Sequence, residues 1–181
     1  MIYDTDKFAN KLIGEYEKIF EPLKDEKIKI LEVGIFKGGF IMWLADYFKN
    51  ADITGIDINF LPDIKHERIK MFLCDQNDSE ELNRIGQTIG KFDIIIDDGS
   101  HRYAETKNTF KNMFPHLKDG GLYIIEDFVA GYWPQYPEYQ NLHLLPLQIA
   151  EKKDEIGISD FNIILKEPKC SLAIFKKKEK I

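Results

Sequence analysis

Two carboxylate clusters stand where apolar runs end. The first is Phe92-Asp93-Ile94-Ile95-Ile96-Asp97-Asp98-Gly99-Ser100-His101, and the second is Gly120-Gly121-Leu122-Tyr123-Ile124-Ile125-Glu126-Asp127. Strands buried in a parallel sheet read as short apolar runs, and ligands of open α/β sheets bind beyond the strands' carboxyl ends. If these runs are neighbouring strands, Asp98, Glu126 and Asp127 converge on one crevice beside His101. Three carboxylates that close repel unless a cation joins them, and their oxygens suit a hard ion, Mg²⁺ or Mn²⁺. A histidine at the rim of such a site is a candidate general base. Taken singly, Asp97 could cap the next helix and Glu126-Asp127 could open a solvated loop. The pairing of the two strand ends favours the metal reading.

A glycine turn follows an earlier run, Leu31-Glu32-Val33-Gly34-Ile35-Phe36-Lys37-Gly38-Gly39. Glycines there let backbone approach a ligand, and the following helix offers free N–H donors. The spacing is neither that of the dinucleotide fingerprint nor that of a phosphate loop. Thr54-Gly55-Ile56-Asp57 ends the next run in an acid, which suits the two hydroxyls of a ribose. Together they describe a ligand with a ribose and no pyrophosphate.

Parallel strands with helices between them must position these residues. Helical spacing predicts an amphipathic helix over Thr5 to Phe20, packed outside the sheet and closed by Pro22. Strands are expected over Lys27 to Gly34, Ala51 to Asp57, Arg68 to Cys74, Phe92 to Asp97 and Gly121 to Ile125. Helices are expected over Phe40 to Phe48, Pro62 to His66, Ser79 to Ile89 and Tyr103 to Leu117. This alternation implies right-handed βαβ units. After an aromatic and proline-rich loop comes a helix over Leu142 to Asp154. Two strands then follow, Phe161 to Leu165 and Ser171 to Phe175, too closely spaced for a parallel crossover and therefore an antiparallel hairpin. Lys176 to Lys180 reads as a frayed, solvated end.

The 181 residues are 44% hydrophobic and 31% charged, with a formal net charge of −6. That composition suits one α/β domain over residues 1–181 and argues against a non-specific nucleic-acid binder, favouring a neutral or cationic small substrate. Cys74 and Cys170 lie in expected strands with no metal-ligand spacing and read as buried free thiols. With no secretory leader pattern and no apolar run of membrane-spanning length, the expected location is cytoplasmic. The apolar first helix and the aromatic loop are the faces through which a homo-oligomer would form.

Leu31-Glu32-Val33-Gly34 with Gly38 resembles the first motif of the class I S-adenosylmethionine-dependent methyltransferases. That family's Rossmann-like, doubly wound, seven-stranded sheet is mostly parallel with an antiparallel C-terminal hairpin strand. Within that family the chain resembles one branch, the metal-dependent sugar O-methyltransferases of macrolide antibiotics together with relatives described as cephalosporin hydroxylases. Tyr16 to Pro22, Ile30 to Gly39, Trp43 to Phe48, Thr54 to Asp57, Asp97 to His101 and Gly120 to Trp133-Pro134 carry the resemblance. It implies that Glu32, Gly34 and Gly38 line the methionine part of the cofactor, that Asp57 holds its ribose, and that Asp75 and Gln76 border its adenine. Asp97 is placed with these cofactor residues. It further implies that Asp98, Glu126 and Asp127 ligate Mg²⁺, that His101 is the base, and that the aromatic loop 128–140 lies near the site. The acceptor would be a hydroxylated small molecule such as a glycoside.

Two features depart from the family pattern. Phe40 stands where a small hydroxyl residue commonly follows the paired glycines, and the loop Phe128-Val129-Ala130-Gly131-Tyr132-Trp133 lacks the serine often found before its Tyr-Trp pair. Three readings stay open: a sugar O-methyltransferase, a hydroxylase-like relative with the same sites, and a non-catalytic cofactor-binding module, at which Phe40 hints.

Overall fold

The computed structural model describes residues 3–59, 62–166 and 170–180. Its strands are β1 (Lys29–Val33), β2 (Asp52–Asp57), β3 (Ile69–Leu73), β4 (Phe92–Asp97), β5 (Leu117–Glu126), β6 (Ile158–Lys166) and β7 (Cys170–Lys177). They form one seven-stranded sheet in the order β3-β2-β1-β4-β5-β7-β6. The first five are parallel, and β7 is antiparallel to both β5 and β6. This is the doubly wound, mostly parallel sheet with an antiparallel hairpin that the sequence predicts. The hairpin's tip, residues 167–169, lies outside the described residues.

Both sheet faces are covered, which is why the strands read as unbroken apolar runs rather than alternating ones. Ile30, Ile94 and Ile124 pack on one face with α1 (Ile13–Phe20) and α2 (Gly39–Tyr47). Leu31, Ile95 and Tyr123 pack on the other with α3 (Ser79–Ile89), α4 (Tyr103–Met113) and α5 (Leu145–Glu151). Buried aromatic rings tie α1 to α2: Tyr16 lies 4.9 Å from Phe40 and Phe20 lies 5.3 Å from Phe48, centre to centre. Contacts of this kind contribute beyond the area they bury. The chain builds outward from β1 through β2 to β3, then returns to lay β4 on the other side of β1. The strand order therefore reverses between β1 and β4, and a crevice opens beyond their carboxyl ends.

Several expected elements differ. The first helix is confined to α1, because Lys11 takes a left-handed backbone (φ 60°) and the residues before it fold into turns. Residues 62–66 are not helical. The helix expected over Leu142 to Asp154 divides into a 3-10 turn (Leu142–Leu144), α5 and α6 (Lys153–Ile156), since Lys152 leaves helical geometry between the last two. β7 continues to Lys177 rather than fraying, and the Lys177 ammonium donates to the carbonyls of Phe114 and Leu117. Among the described residues no helix is long and apolar enough to cross a membrane.

Candidate active site

The ends of β1, β4 and β5 deliver Gly34, Asp98 and Glu126-Asp127 to one cavity of about 800 Å³. Gly34 has a left-handed backbone (φ 89°), and a Cβ there would lie 2.2 Å from the Asp98 carbonyl oxygen. Only glycine permits that approach of the two strand ends. Asp98 N–H donates to the Val33 carbonyl at 2.9 Å, and Asp127 N–H to the Ser171 carbonyl at 2.8 Å. Ser171 N–H returns a bond to Asp127 Oδ1 at 3.2 Å, so β7 anchors this acid. His101 (φ 55°) and Asp127 (φ 52°) both stand on left-handed backbone. For residues other than glycine such geometry costs energy and concentrates at functional sites.

Asp98, His101 and Asp127 offer ligand atoms that all lie within 4.8 Å of one another. His101, expected beside the carboxylate trio, stands inside this closest group, with Nε2 3.8 Å from Asp98 Oδ1. Glu126 stands outside it, for a reason invisible in the sequence. Lys7, almost wholly buried, donates from Nζ to Glu126 Oε1 at 2.8 Å and to Asp98 Oδ2 at 2.5 Å. The Tyr16 hydroxyl donates to Glu126 Oε2 at 2.5 Å. Burial, reinforced by Asp98, raises the pKa of both Glu126 and Asp127. Burial works to lower that of Lys7, but the Asp98 and Glu126 charges overcome it and hold the ammonium well above its ordinary range.

Glu32, Gly34, Asp57, Asp75 and Gln76 also line the cavity. Glu32 Oε2 is buried and has no hydrogen-bond partner among the described residues. Burial pushes its carboxyl upward. Asp57 Oδ2 accepts the N–H groups of Ile35 and Phe36, and Oδ1 accepts that of Asn59, so the acid shapes the glycine turn as well as facing the cavity. Gln76 is a strut: it donates to Asp97 and Thr109 and accepts Ser100 N–H.

Two of the expected cofactor residues are not among those lining the cavity. Gly38 (φ 83°) is instead the N-cap of α2, while neighbouring Gly39 faces the cavity, so close to Asp4 that a Cβ would meet its carbonyl oxygen at 2.3 Å. Asp97 is turned into the interior, where Gln76, Gly99 N–H and the Tyr123 hydroxyl donate to it. Burial outweighs those bonds and pushes Asp97 up to about 7. A carboxyl raised this way adds stability at pH values below its unfolded pKa and loses it as pH rises through the folded one. The near-isosteric Asp97→Asn should therefore flatten the decline in melting temperature between about pH 4 and 7. Parallel melts of both proteins across that range would check it.

The aromatic loop does reach the site. Tyr139 meets the His101 ring edge-on at 5.8 Å and stacks on Tyr136 at 5.3 Å. Lys7 and Tyr16 escaped sequence reasoning as site residues because both were assigned to one outer amphipathic helix. The only signal for Tyr16 was its place in a matched stretch. Lys7 carried none.

Residues 31–128 match the family model described as "Methyltransferase domain". Mycinamicin VI 2''-O-methyltransferase of Micromonospora griseorubida is 36% identical over 143 residues, 74% of this chain and 36% of that protein. Demethylmacrocin O-methyltransferase of Streptomyces fradiae is 35% identical over 128 residues, 67% of this chain and 32% of that protein. The solved structure of MycE methyltransferase from the mycinamycin biosynthetic pathway, in complex with Mg and SAH, superposes with a TM-score of 0.85 at 30% identity. That match covers 98% of this chain and 53% of the other, so the chain spans about half the length of that relative or less. With its central residues matched and its sheet shared, the chain belongs to the methyltransferase domain family.

Proposed function

We propose that the chain is an S-adenosylmethionine-dependent O-methyltransferase, requiring Mg²⁺ or Mn²⁺, that acts on a hydroxyl of a sugar or related small molecule. The observation that carries this reading is a single cavity lined both by Asp98, His101 and Asp127 and by Glu32, Gly34 and Asp57. The relatives' names, O-methyltransferases of glycosylated antibiotics, support the acceptor class. Both the cofactor and the divalent ion fit the residues present. The unpartnered Glu32 Oε2 is a buried acceptor suited to an amino group, and Asp57 keeps lone-pair capacity beyond its three backbone bonds. Asp98, Glu126 and Asp127 together line the cavity and would hold Mg²⁺, a hard ion that takes carboxylate oxygens and keeps several waters.

When bound, S-adenosylmethionine supplies a methyl group activated on a positive sulfur, and the divalent ion supplies counter-charge that lowers the pKa of an acceptor hydroxyl. His101 then receives the hydroxyl proton, its ring kept in place by the Tyr139 edge. Gly34 and Gly39 let the backbone at Asp98 and at Asp4 close on the glycine turn, which draws the walls of the cavity together. The net charge of −6 supports a small neutral or cationic acceptor over a polyanion. Two buried free thiols support a reducing, cytoplasmic setting.

Calorimetric titration with S-adenosylmethionine and S-adenosylhomocysteine, with and without Mg²⁺ and with NAD as control, tests the reading. Both adenosyl ligands should bind and NAD should not. In turnover assays with glycoside acceptors, Asp98→Asn should abolish stimulation by Mg²⁺. Absence of adenosyl binding would sink the proposal.

A further inference from the structure

The side chain of Gln76 lines the cavity, yet its amide is committed elsewhere. Gln76 follows β3 and is buried, and its Nε2 donates to Asp97 Oδ1 at 3.0 Å and to Thr109 Oγ1 at 2.9 Å. Both amide protons are thereby used, so none is left to donate to a ligand. Its Oε1 accepts Ser100 N–H at 2.7 Å, and its backbone carbonyl accepts the Asn108 side chain of α4 at 2.7 Å. The residue therefore joins α4 to the turn that follows β4 and carries Asp98 and His101. Gly99, in that turn, packs so tightly on it that a Cβ would lie 2.3 Å from Gln76 Oε1.

His101 needs such support. Its left-handed backbone (φ 55°) is costly for a residue with a Cβ and persists only where the surroundings fix it. Ser100, immediately before it, is held by the Gln76 oxygen, and Arg102 N–H, immediately after it, donates to the Ser100 hydroxyl at 3.3 Å. Of these two ties, the one to Gln76 reaches the turn from another strand end.

We propose that Gln76 is a positioning residue for the base: acting through Ser100, it holds the turn after β4 so that the His101 ring stays beside Asp98 and Asp127. The proposal rests on the reading of His101 as base and gives the Gln76 side chain a different task from the adenine contact that the sequence suggests.

Histidine ring resonances of the full chain, recorded without ligand, test this. The chain has four histidines, and the His101 signal is the one that disappears in His101→Ala. Its ring meets Tyr139 edge-on, so a small movement changes its ring-current shift. Gln76→Met is of similar length but offers Ser100 no acceptor. It should displace or broaden the His101 signal while those of His66 and His116 stay in place, whereas general loosening of the chain would move all three. S-adenosylhomocysteine, titrated by calorimetry, should bind Gln76→Met within about threefold of the native chain, and in turnover of glycoside acceptors kcat should fall about tenfold to a hundredfold. Gly99→Ala removes no hydrogen-bonding group yet pushes the amide aside, so it should also move the His101 signal and keeps the test available should Gln76→Met fail to fold. The two changes together should move it no further than Gln76→Met alone, because both break the same bond. A His101 signal unmoved in the folded variants, or a tenfold loss of S-adenosylhomocysteine affinity with that signal in place, would overturn the proposal and leave the methyltransferase reading intact. A native chain that binds neither adenosyl ligand would overturn the methyltransferase reading and leave the resonance result standing.

Discussion

His101→Ala is expected to lower kcat by about two to four orders of magnitude, the range spanned by general acid–base catalysis. Binding of S-adenosylhomocysteine should stay within about threefold of the native value, because Glu32, Gly34 and Asp57, proposed for the cofactor, stand at the ends of β1 and β2, whereas His101 follows β4. A ligand role for His101 predicts something else: the Mg²⁺ concentration giving half-maximal rate would climb, and excess ion would restore part of the rate. Steady-state kinetics at several Mg²⁺ concentrations, run beside the binding titration, separate the two. An unchanged kcat would remove His101 from the chemistry altogether.

Gly34→Ala should produce the largest loss of stability from a single methyl group. The added carbon would sit 2.2 Å from the Asp98 carbonyl oxygen and 2.7 Å from its carbon. Both are backbone atoms, so no rotamer change relieves the clash. β1 and β4 would have to part where the Asp98 N–H bonds the Val33 carbonyl, and the alanine would also carry a positive φ. A cost of roughly 3 kcal/mol is expected, equivalent to a fall of about 6 to 12 °C in melting temperature for a chain this long. Gly14→Ala is the control. Nothing lies within 4 Å of the position a Cβ would take there, in a helix, and the change should stabilise by about 0.5 to 1 kcal/mol. Equal melting temperatures for the two variants would refute the argument from close approach.

The sheet was legible because burial on both faces writes itself into local sequence, as in Phe92 to Asp97 and Leu122 to Ile125. The acids were legible for the same reason, since they end those runs. Lys7 was not: its partners Asp98 and Glu126 are 91 and 119 residues away, and no local periodicity encodes such a pairing. The helical spacing of Phe8 and Leu12 suggested a helix that Lys11 interrupts by adopting a left-handed backbone. Gly38 and Gly39 could not be told apart from spacing, because which of them caps the helix and which faces the cavity depends on where Asp4 returns. Asp97 shared the acidic character of its neighbour but, one residue earlier, points to the opposite side of the strand.

The bonds between Asp127 and Ser171 also carry a consequence in time. β7 is inserted between β5 and β6, so the acid at the end of β5 gains its anchor only after residues 170–177 have been synthesised and threaded into the sheet. A nascent chain already long enough to present Asp98 and His101 still lacks the support that fixes Asp127. Non-local strand pairing of this kind is slow to form. On the proposed metal reading, the site is therefore complete only once β7 is in place between β5 and β6.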